Sequence, residues 1–127
     1  MGLLLDTHIF CWWFYEPERL SLETRERMQA AAAAGVFVSS ASIWEVAIKV
    51  RLGKMKANPQ ELFQQIAING FKELPVWSRH ALLVSDLPLH HTDPFDRLLI
   101  AQAISEPLRL LTVDPQLSRY SDLVIQV

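Results

Sequence analysis

Short apolar runs are the first pattern visible along the chain, and five of them are typical of buried β-strands. The first is the leucine triplet after Gly2, which ends directly at the polar residues Asp6 and Thr7. A short apolar run that is bounded by a polar turn suits a strand covered on both faces, as in a parallel sheet. The predicted strands are residues 3–5, 36–38, 73–77, 109–113 and 123–127.

Helical segments are predicted between these strands, at residues 8–15, 21–34, 42–52, 58–70, 78–86 and 93–104. Three of them begin at a capping residue, namely Ser21, Asn58 and Asp93, and the latter two are followed by proline, which suits the first helical position. Strands that alternate with helices predict an α/β fold with a parallel sheet, arranged as a three-layer α/β/α sandwich, because crossover helices cover both sheet faces.

Length and composition indicate one folded domain spanning residues 1–127. Half of the 127 residues are apolar and 20% are charged, which is far from the composition of a disordered chain. The formal net charge of −2 argues against a protein that coats nucleic acid by charge alone. Met1 is followed by no signal-peptide pattern, and Cys11 is the only cysteine. We therefore expect a cytoplasmic protein in which Cys11 is a reduced structural thiol.

Four carboxylates from distant parts of the sequence are expected to meet at one edge of this sheet. Asp6 and Asp114 directly follow predicted strands, while Glu45 and Asp96 lie in the first turns of predicted helices. In a βαβ unit, the carboxyl end of a strand and the amino end of the next helix lie at the same edge. Ligands of open α/β sheets bind at this edge.

Converged carboxylates raise one another's pKa unless a cation lies among them. A site made of oxygen ligands suits Mg²⁺ or Mn²⁺ better than Zn²⁺. Such ions can activate a water and stabilise the leaving oxygen of a phosphodiester. The hypothesis from the residues is therefore metal-dependent hydrolysis of a nucleic-acid backbone.

Each acid also has a purely structural interpretation. Ser42 and Glu45 have the spacing of a capping box, in which Glu45 would only bond back to the start of its helix. Asp93 before Pro94 is typical of an N-cap. Asp96 could favour the helix dipole, although it shares a face with apolar residues, where an unpaired carboxylate is costly. Asp114 before Pro115 could be a turn residue.

The remaining polar residues give weaker signals. The histidines at positions 8, 80, 90 and 91 have no metal-ligand spacing and are interpreted as surface or loop residues. The densest basic cluster is Lys49, Arg51, Lys54 and Lys56, for which a solvated helix end and a contact with an RNA backbone are the two interpretations.

Four stretches of the chain together resemble the PIN-domain nucleases, and specifically the VapC-type toxins of bacterial toxin–antitoxin pairs. They are LLLDTH, SSASIWEVAIKVRLGK, HTDPFDRLLIAQA and LLTVD, and they span nearly the whole chain in the family's order. The resemblance implies a parallel five-stranded sheet between helices and an acidic pocket for Mg²⁺ or Mn²⁺. It also implies endoribonuclease activity and inhibition by a cognate antitoxin protein. The sequence is compatible with a homodimer but does not determine the oligomeric state.

Carried over by motif, the catalytic and metal-binding acids are Asp6, Glu45, Asp96 and Asp114, and Thr112 resembles the residue that supports the last acid. Two other classes of protein remain open at this point. An aspartyl-phosphate phosphatase would need a second acid two residues after Asp6, where His8 stands. A partner-binding domain that kept the fold without catalysis is the other.

Overall fold

The computed structural model describes all residues, 1–127, as five strands and six α-helices. In chain order these are β1 (Leu3–Leu5), α1 (Thr7–Tyr15), α2 (Leu22–Ala30), β2 (Val36–Ser39), α3 (Ser40–Arg51), α4 (Pro59–Ile68), β3 (Lys72–Leu74), α5 (Ser78–Val84), α6 (Pro94–Ser105), β4 (Arg109–Thr112) and β5 (Val124–Gln126). Short 3₁₀ helices span Pro17–Arg19 and Pro115–Arg119. None of the helices has the length and apolar character needed to cross a membrane.

The five strands form one parallel sheet in the order β3-β2-β1-β4-β5. The chain first builds outward from β1 through β2 to β3, and then crosses back to add β4 on the other side of β1. The direction of winding therefore reverses between β1 and β4. Such a switch point leaves a crevice at the carboxyl ends of the two strands.

Strand β1 shows why the sheet is covered on both faces. Leu3 and Leu5 pack with α1 to α4 in one apolar cluster, whereas Leu4 packs with α6 in a second cluster on the opposite face. Alternate side chains of a strand point to opposite faces, so a run of three buried leucines requires a layer of helices on each side. The predicted three-layer sandwich is confirmed.

Several predicted boundaries of strands and helices were wrong by a few residues. The strand predicted at residues 73–77 ends at Leu74, because Pro75 cannot donate to a ladder. The second helix ends at Ala30 rather than at residue 34, and Gly35 follows with φ = 111°. The third helix begins at Ser40, two residues early, because the side chain of Ser39 caps it by accepting from Ala41 N.

Candidate active site

Asp6 lies at the switch point, directly after β1. One carboxylate oxygen caps α1 by accepting from Ile9 N at 2.8 Å, and the other accepts from Thr112 Oγ1 at 2.5 Å. Only 4% of the residue is exposed, and this burial raises the pKa of the Asp6 carboxyl against the lowering effect of both hydrogen bonds. Thr112 thus connects the ends of the two neighbouring strands β1 and β4.

Glu45 projects from α3 into the same region and is 3% exposed. Its two oxygens accept from Thr7 Oγ1 at 2.7 Å and from Lys49 Nζ at 2.6 Å. The capping-box interpretation of Glu45 was wrong, because α3 is capped by Ser39 and Glu45 lies beyond the first turn. A buried carboxylate that is held by residues of two different helices is a positioned group.

Asp96 is the acid of the DPFD sequence whose carboxylate contacts His91, whereas Asp93 is the N-cap of α6. Asp93 Oδ1 accepts from Asp96 N at 2.9 Å, as the cap interpretation requires. Burial raises the pKa of Asp96 to about 6; the contact with His91 acts against this rise, while the charges of Asp93, Glu45 and Asp6 add to it. The electrostatic influence of Glu45 and Asp6 indicates that the acids from β1, α3 and α6 share one region.

Asp114 follows β4 and begins the second 3₁₀ helix. Its Oδ1 accepts from Gln116 N at 2.9 Å, so the turn interpretation of this residue is correct for that oxygen. Its backbone N–H donates to Thr112 Oγ1 at 3.1 Å, the hydroxyl that also bonds Asp6. Thr112 therefore fixes Asp6 and Asp114, the first and last of the four predicted site acids, relative to each other.

His91 completes the site from the loop before α6. Its Nε2 lies 2.9 Å from Asp96 Oδ2 and 3.8 Å from Asp114 Oδ2. Partial burial would lower the pKa of His91, but the contact with Asp96, aided by Gln116 and Asp114, raises it overall. His91 is a loop residue, as predicted, and its ring in addition lies against two of the predicted acids.

The donor set fits a divalent cation. One ligand atom from each of His91, Asp96 and Asp114 lies within 4.8 Å of the other two. Asp6 and Glu45 are outside this closest group, and both of their oxygens already accept hydrogen bonds from the protein. Carboxylates at close range disfavour one another's ionised form, and the charges of Asp93, Glu45 and Asp6 add to the rise that burial causes in the pKa of Asp96. A cation among them would therefore be stabilised.

Lys49 belongs to the site rather than to a separate basic cluster. Partial burial lowers its pKa, but Glu45 at 2.6 Å, with Asp93 and Asp96 further away, raises it overall. Arg51, Lys54 and Lys56 are exposed and have no carboxylate within ion-pair distance. Contact of these three cations with an RNA backbone stays a prediction.

His80 was predicted to be a surface or loop residue, and that prediction was wrong. It is completely buried at the start of α5, where Nδ1 accepts from Trp77 N at 3.0 Å and Nε2 lies 2.6 Å from Glu106. This arrangement connects α5 to the end of α6 and is structural. No spacing in the sequence distinguishes His80 from His91, although the position of His91 two residues before the capping Asp93 placed it near the predicted acidic edge.

Comparisons with known proteins agree with this fold. The sequence matches the family model of the PIN domain over residues 3–123. It is 31% identical over 121 residues to Ribonuclease VapC22 of Mycobacterium tuberculosis, covering 91% of this chain and 88% of that protein. The fold is similar to the crystal structure of VapBC2 from Rickettsia felis bound to a DNA fragment from their promoter. That match has a TM-score of 0.73 and 17% identity, and it covers 100% of this chain and 98% of the other.

Proposed function

The chain belongs to the PIN-domain family, and on that premise we propose that it is a VapC-type endoribonuclease and the toxin of a toxin–antitoxin pair. The similar protein from Mycobacterium tuberculosis is named a ribonuclease, and the match covers most of both chains. The substrate class is RNA, the reaction is hydrolysis of a phosphodiester, and the cofactor is Mg²⁺ or Mn²⁺. The regulatory partner is a cognate antitoxin protein.

The observation that carries this proposal is the close grouping of His91, Asp96 and Asp114, each of which offers one ligand atom within 4.8 Å of the other two. Burial, with smaller additions from the charges of Asp93, Glu45 and Asp6, raises the pKa of the Asp96 carboxyl to about 6, against the opposing contact with His91. Ionised carboxylates so placed cost stability in the metal-free fold, whereas a divalent cation uses them as ligands. A cation held there supplies activation of water and neutralises charge on the phosphodiester.

Each acid has a distinct task in this proposal. Asp96 and Asp114 are the direct ligands, because Asp114 Oδ2 accepts no hydrogen bond from a protein N–H and Asp96 Oδ2 contacts only His91. Asp6 and Glu45 add negative charge around the cation, and hydrogen bonds fix the orientation of both carboxylates. Lys49 holds Glu45 in place and limits the excess negative charge.

Cleavage is expected to depend completely on a divalent cation. Purified protein incubated with RNA should cleave in Mg²⁺ or Mn²⁺ and stop in excess EDTA, because no protein nucleophile replaces the cation-activated water. Activity should return when the cation is restored. Asp96→Asn protein purified in the same way is the control for contaminating nucleases. RNA cleavage that continues undiminished in excess chelator would contradict the metal mechanism.

A further inference from the structure

His91 places a ring nitrogen where a ligand of the proposed cation would lie. Nε2 is 2.9 Å from Asp96 Oδ2 and 3.8 Å from Asp114 Oδ2. In an octahedral site with ligands at about 2.1 Å, neighbouring ligand atoms lie about 3 Å apart and opposite ones about 4 Å apart. One donor atom from each of His91, Asp96 and Asp114 lies within 4.8 Å of the other two, which is close enough for all three to bind one ion.

The other ring nitrogen is arranged to leave Nε2 available. His91 Nδ1 lies 3.3 Å from the amide oxygen Oε1 of Gln116, which can only accept a hydrogen bond. In the metal-free protein a proton lies between Nε2 and Asp96 Oδ2. A proton kept on Nδ1 by an oxygen acceptor would leave Nε2 with its lone pair once a cation replaces the proton that Nε2 shares with Asp96. Metal-bound histidines show this arrangement, with an oxygen acceptor on the far nitrogen. The backbone of the same Gln116 residue also holds Oδ1 of Asp114, leaving Oδ2 toward the site.

The loop that carries His91 is held by a network of partly buried polar contacts. The hydroxyl of Tyr120 accepts from His91 N at 2.8 Å. The guanidinium of Arg97, which is buried, donates to Tyr120 and to four backbone carbonyls within residues 84–91. These contacts use the backbone of the loop rather than the imidazole of His91. The ring is thereby positioned but is not itself required to hold the loop.

We propose that His91 is a nitrogen ligand of the divalent cation, beside Asp96 and Asp114, and that it makes the site prefer Mn²⁺ to Mg²⁺. This inference rests on the proposed metal-dependent function and adds to it the identity of a ligand and of the preferred ion. Mg²⁺ favours oxygen ligands, while imidazole nitrogen is better suited to transition-metal ions. A site of carboxylates alone would discriminate less between the two ions.

Electron spin echo envelope modulation of bound Mn²⁺ tests the ligand directly, because a coordinated imidazole adds a ¹⁴N modulation. The wild-type protein loaded with Mn²⁺ should show this modulation, and His91→Gln should lose it. The matched control is His90→Gln. The ring of His90 packs against the ring of Tyr120, with 5.1 Å between the ring centroids, rather than against the acids of the site. The control should keep the signal.

Competition titrations test the preference for Mn²⁺ without any RNA. We expect the ratio of the Mg²⁺ to the Mn²⁺ dissociation constant to fall about tenfold or more in His91→Gln, and to stay unchanged in His90→Gln. Circular dichroism checks that both variants fold, which the backbone contacts of the loop favour.

The outcomes separate this inference from the proposed function. If Mn²⁺ binds the wild type, is lost from Asp96→Asn, and shows no ¹⁴N modulation from His91, the acidic metal site stands and the nitrogen ligand is wrong. If the ratio of the Mg²⁺ to the Mn²⁺ dissociation constant is the same in His91→Gln as in the wild type, His91 is not the source of a preference for Mn²⁺. If neither ion binds the wild type, both the inference and the metal-dependent function fail.

Discussion

RNA cleavage by Asp96→Asn is expected to fall more than about 100-fold, because loss of a direct ligand should exceed the 10- to 100-fold effects of losing a ligand's supporting partner. The change keeps the shape of the side chain and removes only its charge and one acceptor oxygen. The fold is not at risk, because the backbone N–H of residue 96 is still capped by Asp93. Single-turnover cleavage of a defined RNA in saturating Mn²⁺ or Mg²⁺ measures the effect.

Asp93→Ala is the matched control from the same helix turn. It removes the N-cap of α6 and should cost about 1 kcal/mol of stability. Cleavage per folded molecule should remain close to that of the wild type, because Asp93 uses its side chain on the backbone of Asp96. The opposite pattern, with cleavage lost in Asp93→Ala and kept in Asp96→Asn, would mean that the third acid of the site is misassigned.

In EDTA, Asp96→Asn is expected to be more stable than the wild type at neutral pH, and this advantage should disappear at acid pH. The pKa of Asp96 in the folded protein is about 6, whereas an exposed aspartate has a pKa of about 4. The folded state therefore holds this proton more tightly, and ionisation of Asp96 destabilises the fold. The cost is absent below about pH 4, complete above about pH 6, and at most about 3 kcal/mol.

His91 adds to the same trend in the wild type. Its pKa is raised in the fold, so the stability it contributes is present at pH values below its unfolded pKa and is lost as the pH rises through the folded one. Replacing Asp96 removes the carboxylate that it contacts most closely. The gap between the melting temperatures of variant and wild type should therefore widen steadily from pH 4.5 to pH 7.5.

Thermal melts in EDTA across this pH range measure the gap. Asp122→Asn is the control, because it removes the same charge from an exposed residue before β5, at the opposite edge of the sheet. Its melting temperature should follow that of the wild type at every pH. If the difference in melting temperature between Asp96→Asn and the wild type does not change with pH, or if the wild type melts higher at pH 7.5, then ionisation of Asp96 does not destabilise the fold.

The alternation of strands and helices could be predicted from the sequence because it depends on local signals. Apolar runs, capping residues such as Ser21, Asn58 and Asp93, and the following prolines are each visible in a few adjacent residues. The meeting of acids at one edge follows from the topology of parallel sheets alone. The boundaries were less accurate, since Ser39 and Ser42 are equally good caps in sequence and only the packed helix selects Ser39.

The detailed contacts of the site could not be predicted, because they join residues far apart in the chain. Thr112 donates a hydrogen bond to Asp6, which lies 106 positions earlier in the chain, and no local pattern indicates which threonine will make this contact. Only the family resemblance indicated a supporting role for Thr112. Lys49 looked like part of a solvated helix end, yet its spacing of four residues from Glu45 was a readable signal for an ion pair. His91 required the loop geometry set by Tyr120 and Arg97.

The central claim, that these acids form one site for a divalent cation, is tested most directly by melting the protein at pH 7.5 in EDTA and in increasing Mg²⁺ or Mn²⁺. Only the folded state assembles the site, so the cation should raise the melting temperature of the wild type and of Asp122→Asn progressively. Asp6→Asn and Asp96→Asn should gain clearly less. A wild type whose melting temperature ignores both ions, or an equal gain in all four proteins, would contradict a shared metal site.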